Sequence, residues 1–217
     1  LGVIYTTLWL RQRQRKDLLL AALLLGLNVW CRTDGIVFTG AALCVLAIDA
    51  LRKKTGKPLL LFAAVSLLPL LFWELFKYLS GLYAEGIVTP YLFFDAEKIG
   101  KIWGQMSWYV FSIVPYGIGF ALFAAATLLN LKNIARSGDN LQLAGMLLLA
   151  LLFYMILLYQ IDYKWDLIEN VLAYSAKRFM FCFIAPVWFY VFTTRIVLGW
   201  SERLERFLAF PAPTGKE

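Results

Sequence analysis

Apolar residues in this chain come in blocks too long and too continuous for the surface helices of a water-soluble domain. Runs such as Leu18 to Leu27 and Met146 to Leu152 show neither the one-sided stripe of an amphipathic helix nor the alternation of a half-buried strand. The 217 residues are 61% hydrophobic, with a mean hydropathy of +0.70, which leaves too little polar surface to cover a soluble core. Inside a bilayer the backbone finds no water, so a spanning segment must be a helix or part of a closed barrel. A barrel needs short segments of alternating polarity, which these runs lack. The expectation is an all-α fold, a polytopic transmembrane helical bundle.

The blocks fall at about 1–10, 18–31, 36–51, 58–79, 107–131, 141–161 and 178–199, giving six spans and a truncated N-terminal one. Basic residues order them. With Arg11, Arg13, Arg15 and Lys16 in the cytoplasm beside Arg52, Lys53, Lys54 and Lys57, alternation brings Lys132, Arg136, Arg195, Arg203, Arg206 and Lys216 to the same side. Fourteen of the 21 Lys and Arg are then inside, against seven outside: Arg32, Lys77, Lys98, Lys101, Lys164, Lys177 and Arg178. That bias has the sign the positive-inside rule requires. Blocks 18–31 and 36–51 are short for a bilayer that needs about 20 residues per helix. Joined as one helix, they would leave Arg32 and Asp34 in mid-membrane with basic clusters on opposite sides. A hairpin with Arg32-Thr33-Asp34-Gly35 at its outer tip avoids both costs; Gly35 breaks the first helix and Asp34 caps the second. Because the chain opens at Leu1 inside an apolar block, we expect a C-terminal fragment of a longer protein. Residues 1–200 would be the transmembrane domain. Residues 201–217 would be a cytoplasmic tail, amphipathic from Ser201, lying on the inner membrane surface and then Pro-rich through Pro211 and Pro213.

The formal charge of +7 would suggest nucleic acid in a soluble protein; here cytoplasmic loops account for it, and no nucleic-acid partner is expected. Membrane lipids are the expected surroundings. The absence of histidine removes Ser-His catalysis and His-based metal sites from these residues. Cys31, Cys44 and Cys182 have no metal or disulfide spacing and read as small apolar residues. Within the spans, Glu74 with Lys77 and Asp49 with Arg52 and Lys53 have the spacing of same-face helix pairs. Pro69, Pro115 and Pro186 are expected as kinks. No Gly-rich nucleotide loop, Asp-rich cluster or Gly-x-Ser-x-Gly occurs. No cofactor is named; a divalent metal stays open, with no ligand set legible for it.

Three connections fall outside: the 32–35 tip, the 80–106 loop and the 162–177 loop. The two long ones carry Tyr83, Tyr91, Phe93, Phe94, Trp103, Trp165 and Tyr174, the aromatic residues of a membrane interface. A short surface helix fits 162–177. Long aromatic loops on one face, against short basic ones on the other, place function outside. The tip reads equally as a solvated turn or as a site wall containing Arg32 and Asp34. Around Thr89 to Lys98, Glu85, Asp95, Glu97, Lys98 and Lys101 surround aromatics. Carboxylates beside aromatics suit sugars and lysines suit phosphate, although solvated interface charges are the commoner use of such residues. At Tyr174-Ser175-Ala176-Lys177-Arg178 two adjacent cations run against the charge trend. They either snorkel to headgroups or, as we expect, hold a lipid-linked phosphate.

Three stretches resemble elements of the GT-C superfamily of polytopic membrane glycosyltransferases, which includes dolichyl-phosphate-mannose protein mannosyltransferases. LLLAALLLGLNVWCRTDGIVFTGAALCVL is similar to their span, Arg-x-Glu-Gly, span element, with Asp34 in place of the usual Glu. LLPLLFWELFKYLSGLYAEGIVTPYLFFDAEK resembles the following span and outer loop, with its proline and downstream lysine. NVLAYSAKRFMFCFIAPVWFY resembles the late Ser-x-x-Arg element that opens a span near the C-terminus. The resemblance implies transfer of a sugar from a polyprenyl-phosphate donor to an acceptor on the extracytoplasmic side. It implies donor-phosphate contacts from Arg178 and Lys98 and a pocket wall from Arg32 and Asp34, to which the reading of the loops above adds Lys177 at the phosphate and Glu85, Asp95 and Tyr174 at the wall. The catalytic carboxylate of such enzymes lies in the first outer loop, upstream of Leu1, so no general base is named here.

Two other classes remain open: a transporter or flippase, which would want mid-membrane charges and an internal repeat, neither of which the sequence displays, and a non-catalytic membrane subunit. The sidedness is testable. A membrane-impermeant thiol reagent applied outside should label Thr33→Cys and spare Thr55→Cys; the opposite pattern overturns the orientation.

Overall fold

The computed structural model describes residues 1–82, 88–90, 93–137, 140–163 and 167–208, with backbone alone for 88–90, 113, 115, 136–137 and 161–163. Glu85, Tyr83, Tyr91, Lys164, Trp165 and the segment holding Pro211, Pro213 and Lys216 lie outside the described residues. Helices α1 (Gly2–Gln12) and α2 (Arg15–Cys31) lead through a 3-10 turn, Thr33–Gly35, to α3 (Ile36–Lys53) and α4 (Lys57–Leu79). There follow β1 (Val88–Pro90), α5 (Ala96–Phe111), α6 (Ile113–Tyr116), α7 (Gly119–Ser137) and α8 (Leu141–Gln160). Then come β2 (Ile161–Tyr163), α9 (Ile168–Val171), a π turn at Leu172–Ala176, α10 (Lys177–Thr193) and α11 (Arg195–Leu208). The described fold is thus all helix apart from one ribbon, in which Thr89 lies opposite Asp162 in antiparallel register. Four helical stretches are long and apolar enough to cross a membrane: Thr33–Lys53, Lys57–Leu79, Leu141–Gln160 and Ile168–Thr193; Gly119–Ala135 is a shorter apolar helix.

The chain reverses at the 32–35 tip, and Thr39 Oγ1 donates back to Leu25 O across the two helices at 3.5 Å. Asp34 does not cap α3, which has no side-chain cap; its carboxylate turns to Arg32 instead. A guanidinium two residues away offers two charged donors, a stronger partner than one backbone amide. The 107–131 block is not one span. Helix α5 ends at Phe111, Ser112 is extended at φ −85° and ψ 134°, and Gly117 takes a left-handed φ of 68° before α7 begins. Pro115 donates no backbone N–H and sits in the first turn of α6, where none is needed, so it marks a new start instead of a kink. The 80–106 loop contains most of α5. The 162–177 loop holds a strand end, α9 and the π turn in place of one surface helix. The last block ends at Thr193, six residues before its expected limit of 199: Thr194 is extended (φ −71°, ψ 142°) and its hydroxyl donates to Val191 O at 2.9 Å.

A seam of rings joins α3, α8 and α10. Tyr154 stacks on Phe179 at 3.8 Å between centroids, and Phe38 meets Phe183 at 4.8 Å. All four side chains are buried. The buried hydroxyls of α1 are satisfied within that helix, Thr6 on Gly2 O and Thr7 on Val3 O. Helix α4 lies at the edge against α2. Only Phe62 and Ser66 of α4 are buried, while Leu60, Leu68, Leu71 and Phe72 face out, as a lipid-facing helix would.

At one end of the bundle Arg13 forks onto Asp49 with two contacts of 2.7 Å, and Lys53 adds a third at 3.5 Å; Arg52, expected as a partner, is replaced by Arg13 from the α1–α2 turn. At the same end Asn140, in left-handed conformation at φ 53°, accepts from Arg11 and donates to Thr193 O at 2.8 Å. This amide ties the turn before α8 to α1 and to the end of α10.

Helices α2 and α4 touch at Gly26, where a Cβ would stand 2.8 Å from Ser66 O and 3.3 Å from Pro69 Cγ. Gly26→Ala should lower the unfolding midpoint in detergent, since forced volume in a filled contact costs about 1–3 kcal/mol. Gly145→Ala, with open space at that position, should hold or raise it.

Candidate functional site

The end opposite Arg13 and Asn140 holds the described residues of all three connections expected outside. The tip is built by close approach. Arg32 is extended at φ −148° and ψ 123°, and Gly35 N–H donates to Arg32 O at 2.9 Å. A Cβ on Gly35 would fall 2.5 Å from Asn28 Nδ2 and 2.8 Å from Asn28 O, so only glycine lets the chain turn this tightly against α2. Arg32 Nε lies 3.0 Å from Asp34 Oδ1 and Nη2 lies 2.6 Å from Oδ2, a two-pronged pair that stiffens the turn.

Arg32, Thr33 and Asp34 wall a cavity of about 470 Å³, with Trp30 of α2, Tyr154 of α8 and Ser175 of the π turn. The π turn widens the helix where Ser175 meets this space. Two phenols answer for its neighbouring carbonyls. Tyr109 Oη donates to Leu172 O at 2.9 Å and Ala173 O at 3.3 Å, and Tyr116 Oη donates to Lys177 O at 2.5 Å. Burial pushes the Tyr109 phenol above its ordinary range, and burial with neighbouring Tyr109 pushes Tyr116 up to about 12. Both therefore stay protonated donors near neutrality.

Lys177 and Arg178 are exposed, and neither has an ion-pair or side-chain hydrogen-bond partner among the described residues. Arg178 stands three residues after Ser175 and four before Cys182, a spacing that sets it on one helix stripe with them. Cys182 is within electrostatic reach of Arg32 and Asp34. Tyr174 is exposed at the same level.

Lys98 and Asp95 sit elsewhere. Asp95 caps α5, its Oδ1 accepting from Lys98 N–H at 3.0 Å. The Asp95 N–H donates to Tyr159 Oη at 2.9 Å, and Tyr159 in turn donates to Phe93 O. The Lys98 side chain is buried, with Nζ 5.6 Å from the Tyr159 ring centre. Lys101 bridges Glu97 at 2.7 Å and Glu169 at 2.8 Å, which raises its pKa and clips α5 to α9. Ile99 and Ile102 of α5 face Met155, Ile156 and Tyr159 of α8, whereas Tyr154, Leu157 and Leu158 face the tip cavity. At 3.6 residues per turn these sets occupy opposite sides of α8. Lys98 and Asp95 thus do not line the cavity of Arg32 and Asp34, and Arg178 is not among its lining residues either. Tyr109, Tyr116 and Tyr154 escaped sequence reasoning as site-shaping residues, since nothing near them in the chain marks them, whereas Ser175 lies within the Tyr174 to Arg178 motif. No group of three or more His, Cys, Asp or Glu side chains placed to hold a metal occurs among the described residues.

Comparison of the chain with protein-family models, with curated proteins and with solved structures yields no match in any of the three. Its class rests on its own features: an all-helical chain with four helices of membrane-crossing length and apolarity, which suggest a membrane protein.

Tyr159→Phe removes the donor to Phe93 O and the acceptor for the Asp95 amide. Amide exchange over residues 93–98 should then quicken roughly threefold to tenfold, the range for losing a hydrogen bond worth about 0.5–1.5 kcal/mol.

Proposed function

We propose that this chain is the membrane-embedded part of a glycosyltransferase that takes a sugar from a polyprenyl-phosphate donor. One observation carries the proposal: a cavity at the tip end lined by Arg32, Asp34 and Ser175, followed two and three residues after Ser175 by two exposed cations with no partner among the described residues, Lys177 and Arg178. A lipid-borne phosphate is confined to headgroup level. Cations held at that level can neutralise the charge that grows on it as the sugar leaves. Arg178, with its planar fork, makes the main contact and Lys177 the second. The Arg32–Asp34 pair and Tyr174 wall the sugar side. Lys98 stands across α8 and meets the phosphate only if the headgroup spreads over that helix.

In this proposal α2, α3, α4, α7, α8 and α10 are six spans of a polytopic bundle, with α1 as a further, shorter helix. The end bearing Arg13 and Asn140 is cytoplasmic, as is the C-terminus. The tip end faces the lumen or cell exterior. No residue of this chain is assigned as the acidic group that activates the acceptor.

In the full protein, Arg178→Ala should cut sugar transfer from a polyprenyl-phosphate donor about tenfold or more, the cost of one charge-assisted contact. Arg178→Lys should recover part of it, and Lys98→Ala should cost less. Full transfer by a correctly inserted Arg178→Ala variant removes the phosphate from this cavity.

A further inference from the structure

Helix α11 is a surface without a visible occupant. None of its 14 residues is buried, and apart from Leu198 its polar and apolar side chains separate onto two faces. At 100° per residue Ile196, Val197, Trp200, Leu204, Phe207 and Leu208 fill one continuous stripe, with Arg195, Glu202, Glu205 and Arg206 opposite. Val197, at the start of the stripe, packs on the bundle core. Beyond it Trp200, Leu204, Phe207 and Leu208 are exposed, Phe207 at 85%. The stripe therefore begins on the protein and runs outward with none of the described residues covering it.

Three further facts select what covers it. Helix α11 leaves α10, whose stretch is of membrane-crossing length, after the single extended residue Thr194, so it starts at the end of a span. Thr193 is bound to Asn140, which Arg11 also grips, so that start lies at the basic end. That end displays Arg15, Lys16, Arg52, Lys54, Lys57 and Lys132, all exposed and without ion-pair partners among the described residues. On α11 itself three arginines outnumber two glutamates, and Arg203 borders the apolar stripe.

We propose that α11 is an interfacial anchor, lying in the plane of an anionic phospholipid surface at the basic end with Trp200, Leu204 and Phe207 sunk among the acyl chains. Its arginines and the basic loops around it meet the lipid phosphates, as amphipathic helices of this composition do. The anchor fixes how deeply α10 sits. It is independent of any transferase activity.

The test uses the whole chain in nanodiscs of phosphatidylcholine, alone or mixed with phosphatidylglycerol. A bimane probe on Phe207→Cys, with the three native cysteines replaced by alanine, should be quenched by brominated lipid at least about twice as strongly as one on Glu205→Cys, the contrast expected of a half-sunk helix. In the unmodified chain, amides 196–208 should exchange more slowly with phosphatidylglycerol present than without it. Equal quenching at both positions overturns the proposal, as does cross-linking of Phe207→Cys between copies with no quenching. Exchange indifferent to lipid charge removes its anionic part.

Discussion

Away from water, a backbone carbonyl released from its helix must find another donor, and this constraint governs each irregular point in the chain. The π turn at 172–176 is met by the Tyr109 and Tyr116 hydroxyls. The last carbonyls of α10 are met by Thr194 and by the Asn140 amide. Among the described residues no buried side-chain nitrogen or oxygen lacks a partner. Each of these donors comes from outside the turn it serves, or from its very edge. The satisfaction of the backbone is thus also what ties helix to helix.

The two ends of the bundle solve this problem differently. At the basic end, charged and amide side chains lock to one another. Arg13 holds Asp49, and Arg11 and Thr193 converge on Asn140. At the tip end the strong pair, Arg32 with Asp34, is spent within a single turn, and Lys177 and Arg178, which follow Ser175 in the chain, are left exposed. The separation of Lys98 from this place follows from α5. Its amphipathic sequence and its Asp95 cap press it against α8 on the far side.

Some of this was legible in residue order. The hairpin around 32–35 follows from two short apolar blocks, an Arg, an Asp and a Gly, because a charged turn has no place in mid-bilayer. The pairing of Glu74 with Lys77 at 2.7 Å follows from spacing on one helix. The break at Ser112 was hidden, because Val110 to Ile118 is apolar on both sides of it and hydropathy does not register a change of direction. The end of α10 was hidden for the same reason: Ile196, Val197 and Leu198 continue the apolar run while the helix they belong to has already turned.

By itself the sequence determined that the chain is helical, where its most apolar helices lie and where its charges gather, since these depend on composition and on local spacing. Only the tertiary structure decided which charges meet. Asp49 chose Arg13 over its neighbour Arg52, Asp34 chose Arg32 over the helix it precedes, and Tyr154 and Ser175 came to line the tip cavity while Lys98 went to the other side of α8. Such pairings join residues far apart in the chain, or rival partners at equal reach. The balance between them is set by the rotation of one helix against another, a quantity that no stretch of residues carries alone.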